Sequence, residues 1–412
     1  MRIRSVTVFA TAHELAKAGT LARAAAARLR DSGYTVQTVR GAVPPVPRWL
    51  SDRTPRAFLE QARELDQKAS DAGLEYLSIG PLVTGRNPEC DLLPALPDAL
   101  AMTQRIFANA FIGGRQGGVL GTVLSQVAEA ILGISRQPAS GFNNVRFAAL
   151  ANCGAGIPFF PAAYAPADGL SFALAMEAAD MAVEACGSAQ SYGDAAARLS
   201  KLIQYHAGRI EPLMDAVGRE NGAQFLGCDW SLAPHPDEGC STVAAIESLT
   251  GAPLGSEGTL TAVATLTRAI QSAPARHVGF SGVFLPVLED SVLAKRVAEG
   301  RISLQDLMLY SAVCGTGLDT IPLPGDVSNE AIAALLGDVA ALAASAGKPL
   351  TVRVMPVPGL SAGEKTRFDF PYFVNTSVMR LDTTARAPVK DERLSVGRVP
   401  SDPKRANDAD AT

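Results

Sequence analysis

The chain lacks the signatures by which metal, nucleotide and nucleic-acid chemistry usually announce themselves. Its six cysteines, Cys90, Cys153, Cys186, Cys228, Cys240 and Cys314, form no CxxC pair and no Cys/His cluster of the kind zinc requires. They read as reduced thiols of a cytoplasmic protein. The formal net charge is -4, so there is no basic field to neutralise phosphates, and neither DNA nor RNA is expected as a partner. No apolar run approaches the ~20 residues of a membrane span, and no membrane partner is expected. The opening MRIRSVTVFATA mimics a signal peptide, but its apolar run is short and broken by Thr7 and Thr11, as in a first β-strand. GxGxxG, the P-loop, GxSxG and HExxH are all missing, so no cofactor is predicted.

Against these absences stands a large apolar content. With 412 residues, 47% of them hydrophobic and 19% charged, the chain can bury an extensive core. Strand and helix patterns alternate, from a strand at Arg2 to Phe9 through a helix at Ala16 to Arg30 and a strand at Tyr34 to Val39, which argues for α/β architecture. Gly41 to Pro55 holds four prolines and reads as a loop, followed by a helix to Ala72 and a strand at Leu74 to Ile79. Leu170 to Ala185 and Tyr192 to Glu220 read as helices, an insertion around 170–220. A helix beginning at Ser328 places Ile332, Leu335, Leu336, Val339, Leu342 and Ala343 on one face, and Gly347 with Pro349 ends it before the strand Leu350 to Pro356. Residues 1–383 form one body, and the polar stretch 384–412 has too little apolar surface to fold.

Chemistry is sought first in SAVCGTGLDTIPLPGD, Ser311 to Asp326, whose glycines and prolines read as an irregular loop between two helices. Cys314 and Asp319 lie on it. Alternation in Phe225 to Leu232 sets Asp229 and Ser231 opposite Cys228, Trp230 and Leu232, either inward in a barrel or on a half-exposed edge strand. The same reasoning turns Arg353, and in Val145 to Asn152 also Arg146, towards the inside. Two inward arginines suit an anionic ligand, and salt bridges to Asp229 or Glu289 explain them equally. Glu289 and Asp290 fall at the start of a helix, where capping accounts for both; with Asp326 they are also candidate oxygen ligands for a divalent metal. His235, on the proline-bounded loop SLAPHPDEG, is the best-placed of four histidines for acid–base work, with an idle surface role as the alternative. GGRQGGVLG, Gly113 to Gly121, reads as a tight turn before a helix.

FFPAAY (Phe159 to Tyr164), LGCDWSLAPHP, FSGVFLPVLED, YSAVCGTGLDTIPLPGD and KPLTVRVMPVPGLSAGE together resemble the bacterial and archaeal domain of unknown function 711 family, over roughly residues 1 to 380. That resemblance implies a pyruvate formate-lyase-like fold: a ten-stranded α/β barrel with a loop threaded into its centre and helices around it. In the radical enzymes of that fold a central-loop cysteine becomes a thiyl radical, and Cys314 matches it by loop context. Gly397, in LSVGRVP, departs from the glycyl-radical pattern, and the paired cysteines and nucleotide sites of ribonucleotide reductase are missing. The expectation is therefore a non-radical enzyme, lyase or hydrolase, acting on a small polar, anionic metabolite. Cys314 would be nucleophile or acid/base, Asp319, Asp229 and His235 acid–base groups, and Arg353, Arg146 and Ser231 substrate contacts. A divalent-metal enzyme using Glu289, Asp290 and Asp326, and a non-catalytic binding or regulatory protein, are the alternatives; a homodimer is the expected assembly.

Overall fold

The computed structural model describes residues 1–83, 91–114, 118–138, 140–166, 169–381 and 392–394. Cys90, Gly397, the middle of the glycine-rich turn (115–117) and nearly all of the polar tail lie outside them. The strands, in chain order, are β1 (Arg2–Phe9), β2 (Thr35–Ala42), β3 (Tyr76–Pro81), β4 (Ile106–Gly113), β5 (Val119–Leu120), β6 (Phe147–Ala151), β7 (Ser171–Glu177), β8 (Gln224–Asp229), β9 (Gly317–Pro324), β10 (Leu350–Val357) and β11 (Arg393–Leu394). Nine of them form one mixed sheet in the order β8-β7-β1-β2-β3-β4-β6-β10-β9. β5 and β11 pair separately, so two residues of the expected unfolded tail are held against the body.

β1, β2, β3, β4 and β6 run parallel to one another. At β1/β7 and at β6/β10 the direction reverses, and beyond each reversal pairing is parallel again. The stretch His277–Pro286 is not a regular strand, yet isolated parallel bridges tie it to β8 and its continuation at Cys228 and Leu232, and to β9 at Asp319.

Helices form where the sequence carries both an amphipathic period and a start signal. In Pro55–Asp71, the Thr54 side chain accepts from the Ala57 N–H, Pro55 occupies the first turn, and Phe58, Ala62, Leu65 and Ala69 are buried at helical spacing. Ser328 caps Asn329–Ala346 in the same way, and Gly347 closes it at φ 65°. By length and composition this helix would cross a membrane, but half of that window is buried inside the protein.

Two expectations fail. Ser171–Glu177, read as helix, is the strand joining β1 to β8, and all seven residues are buried. A strand covered on both faces shows no alternation, and its Ala, Leu and Met imitate a helix. Ser311 to Asp326 is a loop only in part: 312–316, with Cys314, is irregular, but Gly317–Pro324 is β9. Its prolines survive in a strand because on the side away from β10 the ladder has shrunk to the single Pro286–Asp319 bridge.

Candidate functional site

Two β-bulges aim charged side chains into one cavity. Between Ile3 and Ser5 the β1–β7 register skips, leaving Arg4 without a partner. Between Val352 and Val354 the β9–β10 register also skips, so Asp319 and Thr320 oppose Arg353. Thr320 sits at φ 46°, a conformation a β-branched residue adopts only under strain, here immediately beside Asp319. Arg4, Asp319 and Arg353 line an inner chamber of about 30 Å³. Arg4 and Arg353 also line the adjoining outer chamber of about 360 Å³.

An ion network spans the join. Arg353 Nε donates to Asp319 Oδ1 at 2.6 Å and an Arg353 terminal nitrogen to Glu289 Oε1 at 2.9 Å, while Arg4 bonds the other oxygen of Glu289. Burial opposes ionisation of Glu289, but the Arg4 and Arg353 guanidiniums pull its carboxyl below the usual value. Burial, opposed by Arg353 and reinforced by the negative charge of Glu289, leaves Asp319 above its usual value. Their environments push the two acids apart, so Glu289 holds its charge more firmly than Asp319.

Two further arginines face the outer chamber without a carboxylate partner among the described residues. Arg40 is 6% exposed. Its Nε donates to Thr38 Oγ1 at 2.8 Å, and its guanidinium lies 5.2 Å from the centre of the Tyr76 ring and 5.3 Å from that of Phe160. Burial, then the nearby Arg4 charge, lowers its pKa to about 10. Arg146 is lowered to about 10 by burial too, but its donors are spent on the carbonyls of Leu100 and Thr103 and on Asn143. Arg146 therefore closes the C-terminus of the helix Leu96–Met102 and adds charge rather than free donors.

The segment that enters the site is 152–166, not the one carrying Cys314. Thr7 of β1 donates to Pro158 O, Asn109 of β4 to Pro161 O and Ser78 of β3 to Ala163 O. Phe159, Phe160, Pro161 and Ala162 thereby form a wall of the inner chamber, where the buried Thr316 hydroxyl has no hydrogen-bond partner. A chamber of this size takes one water-sized polar group.

The other expected site residues are elsewhere. Cys314 is 1% exposed within the helix-side apolar core, and it lines neither chamber. Its neighbour Lys348, held below its usual pKa by burial, bonds the Ser311 and Cys314 carbonyls. Cys314→Ser should therefore cost about 1–2 kcal/mol of stability by burying a hydroxyl, with anion binding unchanged. Urea unfolding and phosphate titration measure the two, and a loss of binding at intact stability would return the thiol to the site.

Asp229 is fully buried, and accepts from the Ser231 hydroxyl and N–H and from the Phe280 and Ser281 N–H groups at 2.6–3.1 Å. Ser231 also accepts from Gly282 N–H, so both residues staple β8 to His277–Pro286, and they line neither chamber. Gly279 stands at φ 66°, and a Cβ there would meet Asp229 Oδ2 at 2.1 Å. His235 pairs with Asp237 at 3.0 Å and packs edge-on against Tyr372, which lines the outer chamber.

The three proposed metal ligands are not assembled. Asp290 caps the helix Ser291–Ala298 and accepts from Ser241 and Val243, Asp326 is exposed, and Glu289 alone faces the cavity. Among the described residues no group of three His, Cys, Asp or Glu side chains is placed to hold a metal ion.

Arg40, Arg4 and Thr316 were missed from sequence. Arg40 was legible, because it alternates with Val39 and shares a face with Thr38. Arg4 was not, since a bulge breaks the period that would have located it.

A profile of the family described as Uncharacterised ACR (DUF711) matches residues 3–375. The UPF0210 protein of Pyrobaculum aerophilum is 34% identical over 350 residues, 81% of this chain and 76% of that relative. Its counterpart in Desulforudis audaxviator is 30% identical over 352 residues, 82% and 78% of the two chains. Among solved structures, that of DsGPDH of Dunaliella salina aligns with a TM-score of 0.16 and 11% identity over 76% of this chain and 57% of that one, too little to support a common fold.

Proposed function

Starting from a chain that belongs to the DUF711 family, we propose an enzyme that binds a small anionic metabolite in the outer chamber and moves a proton with Asp319. The observation that carries this reading is the excess of guanidinium over carboxylate: Arg4, Arg40, Arg146 and Arg353 face the outer chamber against Glu289. Arg4 and Arg353 are neutralised by Glu289 and Asp319, so the surplus rests on Arg40 and Arg146, and Arg40 has terminal donors to offer. Lyase and hydrolase chemistry both fit an acid held near its proton and a neighbouring fixed charge.

The same reading takes the architecture to a closed ring. β1, β2, β3, β4 and β6 form one parallel half, and β7, β8, His277–Pro286, β9 and β10 the other. The bridges at Cys228, Leu232 and Asp319 support His277–Pro286 as the tenth member, resembling the pyruvate formate-lyase-like barrel, with 152–166 as its central loop. It also keeps the protein in the cytoplasm as a homodimer, which light scattering tests.

In a metabolite mixture monitored by mass spectrometry, wild type should consume an anionic compound, and Asp319→Asn should slow that turnover by about 100-fold or more while still binding it. Equal turnover by the variant would sink the proton-transfer role. Binding with no turnover by wild type would favour a ligand-binding protein instead.

A further inference from the structure

Within that reading, and resting on it, we infer that the ligand is an aromatic carboxylic acid, its carboxylate on Arg40 and its ring in the outer chamber. A site for a small, purely polar anion would be walled by donors and water. This one sets rings beside its arginines: Phe107, Phe142, Phe370, Tyr372 and Phe373 line it together with Tyr76 and Phe160, over which Arg40 lies.

The volume suits the class. An apolar cavity of about 150 Å³ holds benzene, so about 360 Å³ accommodates a six-membered ring with a short carboxylate arm. The rings are also held in place for stacking. Phe142 packs edge-on against Phe370 at 5.1 Å and Phe373 at 6.0 Å, and Phe370 against Tyr372 at 5.3 Å. Asn375 closes this segment by exchanging hydrogen bonds with the Phe368 backbone at 2.7 and 2.9 Å. A planar apolar body between such faces gains dispersion and quadrupole contacts that acetate or phosphate cannot make.

Charge fixes the orientation. Arg40 is planar, largely dehydrated and lies over two rings, with one of its nitrogens held by Thr38. A carboxylate arriving at its remaining edge forms charge-assisted bonds at little further cost in ordering, because the guanidinium is already immobilised.

Isothermal titration of the full chain with benzoate, phenylacetate, acetate and inorganic phosphate tests this. Benzoate or phenylacetate should bind at least about tenfold more tightly than acetate or phosphate. Arg40→Gln should weaken the aromatic acids by at least about tenfold, and Phe370→Ala, at a half-buried position, should weaken them while leaving acetate unchanged. Acetate or phosphate binding as tightly as benzoate, still dependent on Arg40, would overturn the aromatic class and leave the anion site standing. No binding by any of the four, with Arg40→Gln indistinguishable from wild type, would overturn both.

Discussion

Arg353→Met is expected to lose about 3–5 kcal/mol of stability. The guanidinium is 7% exposed and is the only group bonded to both Asp319 and Glu289 in the ion-pair network of the described residues. Removing it strands two buried carboxyls rather than one contact, and an uncompensated buried charge carries the cost. Arg4 still reaches Glu289, so Asp319 bears most of the loss. Adding Asp319→Asn to Arg353→Met should therefore recover a large part of the stability in urea unfolding. A single-variant loss below about 1 kcal/mol would mean the network is solvated and the description of the site is wrong.

The second large effect is Asp229→Ala. The carboxylate takes four hydrogen bonds, and the alanine leaves those donors, three of them backbone N–H groups, buried without partners. At about 1–3 kcal/mol for each unsatisfied group, a loss of about 4 kcal/mol or more follows. The variant should also loosen His277–Pro286 from β8, read as faster amide exchange at Phe280 and Ser281 than elsewhere in the sheet.

Asp229 also gives a pH signature. Burial pushes its pKa up to about 6 from 3.8, so the folded form takes up the proton more readily than the unfolded one. The stability it contributes is then complete below its ordinary value and is lost as pH rises through about 6. Asp229→Asn, which keeps an acceptor but no titration, should be flatter than wild type across that window. A wild-type profile no steeper than that of the asparagine variant would count against the buried, proton-hungry carboxyl.

Local signals in the chain were sufficient for β1, β2 and β3 and the helices between them, while β4 (Ile106–Gly113) went unassigned. Thr54 with Pro55, Ser328 with Gly347, and the clean apolar faces between them are short-range instructions that need no partner to be read. Arg353, set apart from Val352 and Val354 by the alternation of β10, lines both chambers. The errors cluster where tertiary surroundings replace periodicity. β7 is covered on both faces, β9 carries prolines on its sparsely bonded side, and the motif around Cys314 was read as a reactive loop when its sulfur belongs to the helix-side core.

The sequence by itself determined an α/β protein with two arginines, Arg146 and Arg353, on strands it could place, since alternation, caps and composition are properties of neighbouring residues. Only the tertiary structure decided what those arginines meet. Bulges at Arg4 and Asp319, the entry of 152–166 between β1, β3 and β4, and the rings around Arg40 join residues far apart in the chain. Such meetings depend on register and sheet curvature, which no local pattern encodes.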